Sequence, residues 1–111
     1  MSTNKKIKKI ISLIPKITQK DKLLIEKAYK FAKKAHKGHL RKSGEPYFIH
    51  AYETAKKLAE LGMYPVVIAA GFLHDVIRDT KTTEEEVLNE FGEEIVKLIL
   101  EKKMGCGLEI K

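Results

Sequence analysis

A chain of 111 residues with 43% hydrophobic residues can bury one core, so a single domain is expected over residues 1–111. The single cysteine, Cys106, excludes an intramolecular disulfide framework and fits a reducing cytoplasm. The formal charge of +7 is uneven, because residues 82–111 hold eight Glu against four Lys, a net of −4, which leaves +11 on residues 1–81. That field favours anionic partners, and no apolar stretch has the length of a membrane span or a signal peptide.

The periodicity predicts helices throughout. Residues 5–14 (KKIKKIISLI) place Ile7, Ile10, Ile11 and Ile14 on one face with lysines opposite, and Pro15 closes the segment. Thr18 followed by Asp21 resembles a capping box and opens a second helix with Leu24, Ala28, Phe31 and Ala35 as its stripe, ending near Gly38. The polar run GHLRKSGEP, residues 38–46, reads as a loop. A third helix carries Phe48, Ala51, Ala55 and Leu58 and stops at Gly62. Pro65 suits the first turn of a fourth helix, which has no charge from Val66 to Leu73 and so is expected to be buried almost all round. Thr82 or Thr83, before three glutamates, caps a fifth helix that Gly92 ends. A sixth holds Ile95, Val96, Leu98 and Ile99 before Gly105 and Gly107. The expected fold is all-α, a compact bundle of about six helices around the apolar fourth.

The chemistry sits where that apolar helix meets Leu73-His74-Asp75-Val76-Ile77-Arg78-Asp79. Burying an imidazole and a carboxylate without partners is costly. Together His74 and Asp75 suit Mn, Fe or Zn better than Mg or Ca, which prefer all-oxygen sites. Asp79, one turn on, can orient a ligand of such an ion. Alone, a His-Asp pair is more often a hydrogen-bonded core pair. Upstream, Arg41-Lys42-Ser43-Gly44-Glu45-Pro46-Tyr47-Phe48-Ile49-His50 brings two cations and a hydroxyl, and Arg41 can stack on a base or grip a phosphate. His36 and His39 flank this loop and read as surface or capping groups. The lysine-rich first helix lacks Trp and Arg, which disfavours a nucleic-acid partner; its isoleucine stripe is expected to pack on the core.

The segments AHKGHLRKSGEPYFIH and GFLHDVIRDT, taken together, resemble the hydrolase domain of RelA/SpoT homologues, within the HD superfamily of metal-dependent phosphohydrolases. The resemblance runs from about Asp21 to about Glu101. It implies an HD-domain-like helical fold, a Mn2+ cofactor, and removal of the 3′-pyrophosphate from the guanine nucleotides ppGpp and pppGpp in the stringent response. It implies metal ligands at His50, His74 and Asp75, and a guanosine and phosphate pocket lined by Arg41, Lys42, Ser43 and Tyr47. Asp79 matches the second acid of the family's Glu-Asp catalytic pair, and Arg78 replaces the Glu. Ala51 stands where the family usually has Pro. The family's fourth ligand, an aspartate on a later helix, has no counterpart, since Asp79 is the last aspartate of the sequence. The chain therefore reads as the front portion of such a domain, lacking its C-terminal helices. The alternative to a ppGpp hydrolase is a catalytically inactive HD domain that binds a guanine nucleotide or regulates a partner.

Overall fold

The structure, a computed structural model, describes residues 2–100, and the side chains of residues 5–77 and 79–100. Gly105, Cys106 and Gly107, named above, lie outside the described residues. Among the described residues the elements are α1 (Ser2–Ser12), α2 (Gln19–Ala35), α3 (Tyr47–Glu60), α4 (Pro65–Leu73), α5 (Val76–Asp79), α6 (Glu84–Phe91) and α7 (Glu93–Leu100). The six expected helices are present, and α5 is one additional turn. None is long and apolar enough to cross a membrane.

Local signals set the boundaries. The Thr18 side chain accepts the Asp21 N–H at 3.1 Å and starts α2. Thr83 and Glu86 form a reciprocal capping box at the start of α6, satisfying two donors that the first turn leaves open. Pro65 occupies the first turn of α4, where its missing N–H costs nothing. Gly92, at φ +94°, supplies the left-handed turn that lets α7 begin one residue after α6 ends.

Helix α4 is the axis. Every residue from Ile68 to Leu73 is buried, and α2, α3 and α7 pack around it. The buried line of α2 is Ile25, Ala28, Tyr29 and Ala32, one position round from the expected stripe of Leu24, Ala28, Phe31 and Ala35. The reason is that α2 has two apolar neighbours. Its deep face meets α4, while Phe31 turns aside to meet Phe91 of α6 edge-on at 5.3 Å. Tyr29 joins three helices, with its ring edge-on to Phe48 (5.0 Å), Phe72 (5.6 Å) and Tyr52 (6.5 Å). Lys27 ties α2 to the end of α6, donating to the Glu90 carbonyl at 2.7 Å.

Helices α3 and α4 approach closely at Gly71. A Cβ there would stand 2.5 Å from Leu58 Cδ1 and 3.5 Å from the Ala55 Cα. Leu58 is itself buried, so it cannot swing away into solvent. At the end of α2, His36 is 2% exposed, although its backbone N–H does cap the helix through the Ala32 carbonyl. Burial lowers the proton affinity of its imidazole, and neighbouring His39 lowers it further.

Two outcomes follow. Replacing Gly71→Ala adds about 1–3 kcal/mol of overpacking, more than the ~1 kcal/mol that alanine brings to a helix. Urea melts should show a net loss of stability, and a stabilised variant would contradict the close approach. For His36, the unfolded chain takes up its proton near the ordinary value of 6.5 and the folded chain only at lower pH. Its contribution to stability is therefore present above that value and lost as pH falls through it. Melting temperatures of metal-free protein should fall between about pH 7 and about pH 5.5, and His36→Gln should flatten the slope. Equal slopes in both proteins would remove this account.

Candidate metal centre

Helix α4 stops at Leu73, and the next two residues do not continue it. His74 is still helical, at φ −59° and ψ −31°, but Asp75 sits at φ −104° and ψ 1°, and α5 begins only at Val76. Within a continuous helix neighbouring side chains diverge. The irregular residue at Asp75 turns the two side chains together, so His74 Nε2 lies 3.0 Å from Asp75 Oδ2. The His-Asp pair thus belongs to the break between α4 and α5, not to the body of the central helix.

His50 arrives from the first turn of α3. Its Nε2 lies 3.5 Å from the same Asp75 oxygen, and one donor atom each from His50, His74 and Asp75 fall within 4.8 Å of one another. The three are well covered by protein, with Asp75 3% exposed. His74 Nδ1 lies 2.7 Å from the Gly71 carbonyl, a contact that only an N–H can make. This fixes the tautomer and leaves the Nε2 lone pair facing the carboxylate. Nε2 is buried and makes no hydrogen bond.

Two acceptors at 3.0 Å call for a positive centre between them, either a proton or a metal ion. Donors about 2.1 Å from one ion stand about 3.0 Å apart at a right angle and about 3.4 Å apart at the tetrahedral angle. The 3.0 and 3.5 Å separations match those spacings. The carbonyl bond behind His74 is the kind of outer contact that orients metal-binding histidines. The residues fit a divalent cation with mixed nitrogen and oxygen ligation. For His50, burial lowers the proton affinity first, and the neighbouring His74 lowers it further, which favours the neutral imidazole that ligation needs.

Tyr47 connects this cluster to Asp79. Its hydroxyl lies 2.9 Å from Asp75 Oδ2 and 3.0 Å from Asp79 Oδ2, so one O–H proton is offered to two carboxylates. Burial raises the Tyr47 pKa, and the bond to Asp75 raises it further; the phenol remains a donor.

The loop before α3 is closed as a hairpin. Leu40 pairs with Pro46, the Tyr47 N–H donates to the His39 carbonyl at 2.7 Å, and the Arg41 N–H donates to the Glu45 carbonyl at 2.8 Å. Arg41, Lys42 and Ser43 are exposed at its tip. The guanidinium carbon of Arg41 stands 5.9 Å from the centre of the Tyr47 ring, so this cation borders the cluster. Of the four pocket candidates, Tyr47 is the one that reaches the carboxylates. Asp79 joins them, and the side chain of Arg78 lies outside the described residues.

Two residues read as surface or capping groups take another place. His36 and His39 lie nearly parallel to the Tyr47 ring, at 5.0 Å and 20° and at 4.5 Å and 5°. The sequence signal was available, since histidines three apart at a helix end project to one side. What it lacked was the folding of the loop back onto them.

Comparison with known proteins agrees with this geometry. The chain matches the family described as HD domain over residues 28–104. It is similar to the guanosine-3′,5′-bis(diphosphate) 3′-pyrophosphohydrolase of Aquifex aeolicus (strain VF5), at 43% identity over 99 residues, 89% of this chain and 14% of that protein. The GTP pyrophosphokinase of Myxococcus xanthus is 49% identical over 76 residues, 68% of this chain and 10% of that protein. The guanosine-3′,5′-bis(diphosphate) 3′-pyrophosphohydrolase of Spiroplasma citri is 45% identical over 75 residues, 68% of this chain and 10% of its own length. The chain thus spans only 10–14% of the length of these relatives. With a helical bundle, a His-Asp cluster that suits a divalent metal, and a match over most of its length, the chain belongs to the HD-domain family, among the hydrolase domains of RelA/SpoT type.

Proposed function

We propose that this chain carries the metal site of a guanosine polyphosphate 3′-pyrophosphohydrolase domain that works with Mn2+ in a reducing cytoplasm and takes ppGpp or pppGpp as substrate. One observation carries the reading: the buried, unbonded His74 Nε2 faces Asp75 Oδ2 at 3.0 Å with His50 Nε2 beside it at 3.5 Å.

In this reading His50, His74 and Asp75 hold the ion. When bound, the metal lowers the pKa of water and neutralises charge on the scissile phosphate. The remaining work falls to the protein. Asp79, held by the Tyr47 hydroxyl, stands one turn from Asp75, where its carboxylate accepts a proton from the attacking water. Arg41 and Lys42, on an exposed loop closed by backbone hydrogen bonds, hold the phosphates, and the Arg41 guanidinium offers a flat face to guanine. Ser43 contributes a hydroxyl at the same tip, and Tyr47 forms the floor beneath.

A second reading has its own observation. Arg78 stands where the family carries a carboxylate. A cation at that position weakens water activation more than nucleotide binding. A catalytically inactive domain that captures a guanine nucleotide follows from it.

The two are separated by adding ppGpp and Mn2+ and following pyrophosphate release beside calorimetric binding of each component. The hydrolase reading expects release that a chelator stops. It also expects Asp75→Asn to weaken Mn2+ binding by at least about tenfold. Nucleotide binding without release, unchanged by Arg78→Glu, would give the case to the second reading. Failure to bind Mn2+ at all would remove the metal centre.

A further inference from the structure

The proposed chemistry uses the carboxylates of Asp75 and Asp79 but does not say what holds them in place. Both meet one phenolic oxygen, which makes their separation depend on where Tyr47 sits. Tyr47 is held from behind. His39 lies 4.5 Å away and 5° from parallel, His36 5.0 Å away and 20° from parallel, and the two imidazoles meet Nδ1 to Nδ1 at 3.3 Å. The backbone reinforces the arrangement, since the His39 N–H donates to the His36 carbonyl at 2.9 Å and the Tyr47 N–H to the His39 carbonyl at 2.7 Å.

We infer that His36 and His39 are positioning residues: they clamp the Tyr47 ring from the end of α2, and through its hydroxyl they set the separation of the Asp75 and Asp79 carboxylates. The inference rests on the reading of those carboxylates as the working groups of a hydrolase site.

A purely packing role explains less. His36 is 2% exposed and its Nε2 is buried without a hydrogen-bond partner, a cost that a phenyl ring in the same place would avoid. What phenylalanine lacks is the Nδ1 that meets His39 and fixes the two rings as one surface. Tyr47 needs such a surface. One hydroxyl proton cannot serve two carboxylates along ideal lines to both, so the phenol would swing to one of them if its ring were loose. The clamp also joins two parts of the fold: α2 packs on α4, and α4 ends at the carboxylates. A shift in the end of α2 therefore reaches the site through one ring.

The test uses the whole chain, with and without Mn2+. In metal-free protein, proton NMR should show a slowly exchanging Tyr47 hydroxyl proton, assigned by its loss in Tyr47→Phe. His39→Gln, at a half-exposed position, removes the ring face and should speed exchange of that proton. His39→Phe returns a flat ring without the Nδ1 contact and should restore only part of the protection. Stacked aromatic contacts of this kind correspond to roughly three- to tenfold effects. Mn2+ affinity by calorimetry should accordingly fall about three- to tenfold in His39→Gln and in Tyr47→Phe. The double variant should bind no more weakly than Tyr47→Phe alone. Unchanged hydroxyl exchange in a folded His39→Gln protein, or fully additive losses in the double variant, would overturn the clamp. If His39→Gln does not fold, His36→Phe breaks the Nδ1 contact within the core and faces the same two criteria. If the wild-type chain takes up no Mn2+, the metal reading fails, and the hydroxyl proton alone decides the clamp.

Discussion

The contact between α3 and α4 at Gly71 is the constraint on which the site depends. His50 is on α3 and the His-Asp pair lies just beyond α4, so the three donors can meet only if these helices pack at nearly backbone distance. Glycine at position 71 permits that distance, since Leu58 Cδ1 occupies the space a side chain would need. The same residue supplies the carbonyl that holds His74 Nδ1. One glycine thus controls both the distance across the cluster and the direction of one of its imidazoles. A generic apolar helix would serve the core equally well; what this one adds is a thin face toward α3 and an exit that bends at Asp75.

Most of the helical framework was legible because its signals are local. Thr18, Pro65, Thr83 and Gly92 act on the residues next to them, and each marks a boundary in the structure. Where two surfaces compete, periodicity alone misleads. Helix α2 has apolar residues over more than half its circumference, and which of them is deepest depends on α4 and α6, far away in sequence. The site divides in the same way. His74 and Asp75 stand out in sequence because polar groups interrupt an apolar run. The bond from the Tyr47 hydroxyl to Asp75 spans 28 residues and leaves no periodic trace. The stacked histidines required the loop to fold back through the Leu40–Pro46 pairing, which residues 38–46 do not advertise beyond being polar.

Electrostatics at this site act over two ranges, and the difference explains how one domain can both attract an anion and hold a cation. The +11 on residues 1–81 is spread over exposed lysines and arginine, where salt screens it beyond a Debye length of about 8–10 Å. Such a field favours anions near the surface, but it does little for a carboxylate such as Asp75 that is 3% exposed. For a buried charge the balance has to be struck within contact distance. Two of the described groups around Asp75 Oδ2 contribute at that range: Tyr47 is a neutral donor, and burial disfavours the charged form of His50. A cluster assembled in this way suits a compact cation. The lysine-rich surface would act, in the proposed function, on a different partner, the phosphates that such a cation would engage.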